Sequence, residues 1–137
     1  MGIILDSSVL IPLERQGATV RDALQALASQ VGKNRMALSV ITLLELAHGA
    51  ARADTPERKT KRQEFIRELM QALPVHQISP AIALRTGYID GENQARGVRL
   101  PLADLLIGVT ALELGYDVAT RNPRHFQSIP SLSVLTL

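Results

Sequence analysis

The chain opens on Gly2-Ile3-Ile4-Leu5, an apolar run that stops at one carboxylate, Asp6, meets two hydroxyls, Ser7 and Ser8, and resumes at Val9-Leu10-Ile11. A short run that is apolar at every position is a buried strand, and buried strands belong to mostly parallel sheets covered by helices on both sides. The carboxylate at its end is then the anomaly. A buried, unpaired carboxylate is costly enough that it takes a proton, finds a partner or binds a metal.

Further strands are expected over 36–40, 75–78, 116–120 and 131–137. Helical signals fall between them. Thr19-Val20-Arg21-Asp22 resembles a capping box ahead of an apolar stripe at 20, 23, 24, 27 and 31. Thr42-Leu43-Leu44-Glu45 reads as a second capping box opening a helix, and Pro56 and Pro80 begin two more. Pro101 is placed in the first turn of a helix that is apolar nearly all round through Leu114, as a buried helix is. Alternating strands and helices give an α/β fold, a three-layer α/β/α arrangement around a central, mostly parallel sheet, formed by one domain over 1–137.

Composition narrows the chemistry. Of 137 residues, 46% are apolar, which is enough for a sizeable core. With no Trp, two Tyr and two Phe, there is no aromatic platform for stacked bases. The absence of Cys removes disulfides, thiolate zinc sites and a Cys nucleophile, and it fits a cytoplasmic location. The N-terminal run lacks a basic leader and is too short to span a bilayer, and no other run approaches that length, so no membrane role is expected. Net charge is only +2, yet Arg52, Arg58, Lys59, Lys61, Arg62 and Arg67 crowd one stretch, and nothing after Asp117 is acidic. Such segregation suits a phosphate-bearing partner. A solvated helix face is the plainer explanation of the 52–67 run.

Three acids fall where parallel sheets build their sites, at strand carboxyl ends and the helix starts that follow. Asp6 ends the first strand, Glu45 is placed in the first turn after the second, and Asp104 lies in the first turn of the apolar helix. Each alone has a structural role to hand: Asp6 as a cap, Glu45 as the third-position acid of the Thr42 box, Asp104 as complement to a helix dipole. Together, three carboxylates at one sheet edge repel strongly unless protons or a divalent cation lie between them. An all-oxygen set favours Mg²⁺ or Mn²⁺ over zinc. His48 follows Glu45 by three residues, but no second Glu-x-x-His exists and the fold is not a bundle, so it reads as structural.

Four blocks carry a family resemblance: Ile4-Leu5-Asp6-Ser7-Ser8-Val9-Leu10-Ile11; Ser39-Val40-Ile41-Thr42-Leu43-Leu44-Glu45-Leu46; Leu102-Ala103-Asp104-Leu105-Leu106-Ile107-Gly108; and Ala119-Thr120-Arg121-Asn122 with His125-Phe126. In this order, spread over the whole chain, they resemble the PIN-domain family, specifically its small VapC-type toxins. The resemblance implies a Mg²⁺- or Mn²⁺-dependent endoribonuclease, with Asp6, Glu45 and Asp104 as metal ligands and Ser8, Thr120 and Asn122 in support. Many members carry a fourth acid near the Thr-x-Asn block. Here Asn122 offers only a neutral oxygen, and Asp90 and Glu92 are expected to face solvent, which weakens the case for a second metal.

Arg121, Arg124, His125, Arg58 and Lys61 are the candidate RNA contacts. The resemblance also implies a homodimer and an antitoxin partner. Leu43, Leu46, Phe65, Ile66, Leu69 and Met70 are expected to form an exposed groove for an antitoxin helix beside the basic run. Two other functions compete. A receiver-type protein phosphorylated on Asp6 would need paired acids by the first strand and a late Lys, and no Lys follows Lys61. A catalytically silent nucleic-acid or partner-binding module would not need three such acids.

Overall fold

Gly2–Leu5 (β1) is buried at all four positions and occupies the centre of the sheet. The structure, a computed structural model, describes residues 1–137. Five parallel strands lie in the order β3-β2-β1-β4-β5, with β2 at Arg35–Ser39, β3 at Val75–His76, β4 at Asp117–Thr120 and β5 at Val134–Thr136. Successive side chains point to opposite faces, so the central strand feeds two cores. Ile3 and Leu5 join Leu38 and Ala119 on one face, while Ile4 joins Ala37 and Val118 on the other. That double burial is why the strand reads as a continuous apolar run.

The first core is roofed by α1 (Ser7–Arg15), α2 (Val20–Val31), α3 (Val40–Ala51) and α4 (Pro56–Ala72). The second packs against α6 (Leu102–Leu114) and α7 (Pro123–Gln127), with α5 (Pro80–Ala95) beside α6. Gly108 of α6 has no room for a side chain, since a Cβ there would lie 2.4 Å from Ile129 Cδ1. The expected three-layer α/β/α fold and parallel sheet are therefore observed. Thr19 caps α2 as its motif foretold, accepting the Asp22 amide at 3.1 Å.

Several local readings change. The Thr42 box is not a cap. Ser39 begins α3 by accepting the Ile41 amide at 3.1 Å, and Thr42 is fully buried, donating to the Leu5 carbonyl at 3.1 Å. Glu45 therefore sits in the second turn of α3, not the first. Pro101 precedes α6 instead of lying inside its first turn. The third strand keeps only two of four expected residues, the last strand is shorter than 131–137, and α7 had no counterpart in the sequence reading.

The expected apolar groove is also corrected. Leu46, Phe65 and Leu69 are 7%, 6% and 0% exposed and lie within the first core, with Leu43 and Ile66 packed against them. Of the six residues only Met70 is exposed. Four helices over one sheet face need more apolar side chains than a single helix layer does, and α4 supplies them. No helix is long and apolar enough to cross a membrane.

Candidate active site

The chain leaves β1 toward β2 on one side and later returns to add β4 on the other, so a crevice opens between β1 and β4 at their carboxyl ends. Asp6 stands at this switch point. Its amide donates to the Ala119 carbonyl at 3.0 Å, which fixes the backbone against β4. The side chain does not cap α1. It turns instead into a hydroxyl cage: Asp6 Oδ2 accepts from Ser8 Oγ at 2.7 Å and from Thr120 Oγ1 at 2.9 Å. The carboxylate is only 4% exposed, so these two bonds are its compensation for lost water.

The cage is locked from behind. The Arg121 amide donates to Ser8 Oγ at 3.0 Å, and the Asn122 amide donates to Thr120 Oγ1 at 2.9 Å. Ser8 and Thr120 thus support Asp6 through their side chains, whereas Asn122 contributes its backbone. Arg121 and Asn122 expose their side chains to solvent.

Glu45 arrives from α3, where Thr42 pins the helix to the end of β1. Its Oε1 accepts from Ser7 Oγ at 3.0 Å. Asp104 arrives from the first turn of α6, and its Oδ2 lies 2.7 Å from His125 Nδ1 of α7. Burial pushes the Glu45 carboxyl above its ordinary value of 4.5; the Ser7 bond opposes this, and the charges of Asp6 and Asp104 add to it. Burial likewise raises Asp104 above 3.8, against the pull of the His125 hydrogen bond and charge and with the push of Asp6. The three acids therefore share one electrostatic field. As the side chains stand, no three His, Asp or Glu groups close around a single point.

The other candidates separate clearly. His125 is half-buried against Asp104, while Arg124 beside it is exposed. Arg58 and Lys61 lie on α4, away from the acids, in a cleft with Arg52 and Arg62. His48 is exposed. Asp90 accepts from Gln94 at 3.2 Å, and neither it nor Glu92 is among the charges acting on Glu45 or Asp104. Ser7 was missed in the sequence, although the paired hydroxyls after Asp6 were the signal. The first serves Glu45 and the second serves Asp6.

The donor chemistry suits a hard divalent cation: carboxylate and hydroxyl oxygens, no thiolate, and two carboxylates pushed toward protonation by burial and by each other.

Comparison with known proteins gives one consistent result. The family profile described as "PIN domain" matches residues 3–132. The chain is 32% identical over 101 residues to a "tRNA(fMet)-specific endonuclease VapC" of Salmonella typhimurium, covering 74% of each protein. It is 27% identical to "Ribonuclease VapC1" of Rickettsia felis, over all of this chain and 97% of that one. Among solved structures, it superposes on a chain of DNA-bound VapBC from Salmonella typhimurium with a TM-score of 0.78 and 27% identity, over 99% of this chain and 98% of that one.

Proposed function

The chain belongs to the PIN-domain family, and on that footing we propose that it is the ribonuclease toxin of a toxin–antitoxin pair, hydrolysing RNA phosphodiesters with Mg²⁺ or Mn²⁺. The relatives are named as ribonucleases and endonucleases, and solved neighbours include a toxin–antitoxin complex. RNA is the substrate, a cognate antitoxin is the partner, and a homodimer in the cytoplasm completes the reading.

The observation that carries the metal-dependent chemistry is the three-acid edge. Asp6, Glu45 and Asp104 would hold the cation, which when bound activates water and neutralises charge growing on the phosphate. Around it the chain's own residues act as tethers. Ser8 and Thr120 orient Asp6, Ser7 holds Glu45, and His125 holds Asp104. Because these tethers set where the acids stand, cation affinity would depend on them as well as on the ligands. No acid follows Asp117 and Asn122 supplies no negative charge, which favours one tightly held cation.

The test is RNA cleavage followed during chelation and metal return. Activity is expected to vanish in excess chelator and to return with Mg²⁺ or Mn²⁺ but not with Zn²⁺ alone. Cleavage that persists in chelator would overturn the metal-dependent reading.

A further inference from the structure

A second charged region lies at the far ends of α1 and α3, beside the first half of α4. Arg15 ends α1, Arg52 follows α3, and Arg58, Lys61 and Arg62 lie in the first half of α4. These five cations line an open cleft of about 490 Å³ with two carboxylates, Glu14 and Asp54, and no apolar side chain lines it.

Three features set this cleft apart from an ordinary solvated surface. Arg15, Arg52 and Lys61 take part in none of the chain's ion pairs, so the excess positive charge is uncompensated. Arg62 is fixed in place, its Nε 3.3 Å from Glu14 and one terminal nitrogen donating to the Gly49 carbonyl at 2.9 Å, which ties α1, α3 and α4 together around the cleft. Arg58 and Lys59 also stand in the first turn of α4, at the positive end of its dipole, where cations are unfavourable. Helix stability does not explain that arrangement. A polyanionic partner does.

We propose that this cleft is a phosphate-binding subsite that grips the RNA backbone about 12 Å from the acid edge, the distance from Ser7 to Arg15 along α1 at 1.5 Å per residue. This inference rests on the ribonuclease reading. Three carboxylates at the cutting edge repel the substrate's own phosphates, so backbone affinity has to come from cations elsewhere on the molecule. At about 3.4 Å per nucleotide of stacked strand, the separation corresponds to three or four nucleotides. An acidic protein segment fits less well, because protein interfaces have an apolar centre, this cleft has none, and the apolar pocket beside it, lined by Ile11, Leu46, Phe65 and Ile66, holds only about 20 Å³.

The experiment measures binding of fluorescein-labelled single-stranded RNA by anisotropy in chelator, and cleavage with Mn²⁺. It compares the full chain with the double variant Arg52→Gln/Lys61→Gln; both side chains are exposed, so the fold is retained. For an oligonucleotide of about twelve nucleotides, the variant should bind about tenfold more weakly, with a salt-dependence slope shallower by about 1.4 for two lost phosphate contacts. For one of about three nucleotides, too short to reach the acid edge while held in the cleft, the variant should change cleavage less than it does for the long RNA.

Equal affinity and slope on the long RNA would overturn the subsite. So would a variant that keeps RNA binding but loses binding of polyglutamate, which would assign the cleft to a protein partner. An unmodified chain that cuts RNA while the variant binds just as tightly rejects the cleft alone. A chain that neither binds nor cuts any RNA rejects the ribonuclease reading, and the cleft with it.

Discussion

At the start of α1, Ser7 donates to a carboxylate that burial is driving toward protonation; at its end, Arg15 joins no ion pair and faces an open cleft. The two ends of one helix show opposite ways of handling charge. The acid edge is half-buried, and each carboxylate has a named donor or partner: two hydroxyls for Asp6, one for Glu45, an imidazole for Asp104. The basic cleft is exposed, and most of its charges are left to solvent. Low dielectric makes an untethered acid expensive, while water makes an unpaired cation cheap. A formal charge of +2 hides this division. Local charge and its burial, not the net figure, separate the two regions.

The contrast can be tested hardest at the acid edge. Asp104→Asn should lower RNA cleavage by about 10²–10³-fold or more, the scale of losing one group that stabilises transition-state charge. Its melting temperature without metal should hold or rise, because one of three mutually repelling charges is gone. A sharp fall in that melt would make Asp104 a structural partner of His125 instead.

Thr120→Val should come next. It strips the buried Asp6 carboxylate of one of its two hydroxyl donors and the Asn122 amide of its acceptor. Urea unfolding should show a loss of roughly 1–3 kcal/mol. The equivalent deletion in the cleft, Lys61→Ala, should leave the unfolding curve unchanged.

A subtler difference lies in pH dependence. Glu45 and Asp104 have folded-state values raised above their ordinary ones, so the folded chain holds more protons than the unfolded chain in that window. Their contribution to metal-free stability is therefore greatest below the ordinary carboxylate range and declines as pH rises through the raised values. Glu45→Gln should match the unmodified chain at about pH 4 and melt higher at about pH 7. An equal offset at both pH values would break the link to ionisation.

The smallest effect is expected from Asp54→Asn. Asp54 and Arg58 pair at 2.6 Å but are exposed, and Arg58 holds the Asp54 carboxyl below its usual range. Neutralising Asp54 should leave the melt unchanged and slightly tighten binding of long RNA, since it frees a cation in the cleft.

The acids themselves were legible in the sequence because apolar neighbours placed them at strand and helix ends. Asp6 after β1 and Asp104 in the first turn of α6 lie where the sequence put them. Their partners were not legible. Ser7 reaches Glu45 across 38 positions and His125 reaches Asp104 across 21, contacts fixed by how α3 and α7 sit against the sheet. Helix starts misled in one instance. The spacing Thr42 to Glu45 satisfies the capping pattern, but Ser39 at the end of β2 takes the cap and Thr42 is spent anchoring α3 to Leu5. The apolar residues of α4 misled in another, because periodicity shows which side of a helix is apolar without showing what covers it. At five residues, α7 is too short for any periodicity to register.

The place of β1 has one more consequence. Among the strands of this sheet, the first in chain order is the middle one, and its second neighbour, β4, begins only at Asp117. Until that neighbour docks, Asp6 lacks both the Ala119 carbonyl for its amide and the Thr120 hydroxyl for its carboxylate. Contacts so distant in sequence form late in folding. A nascent chain still short of β4 therefore cannot assemble the acid edge, and on the ribonuclease reading it stays disarmed until that strand is made.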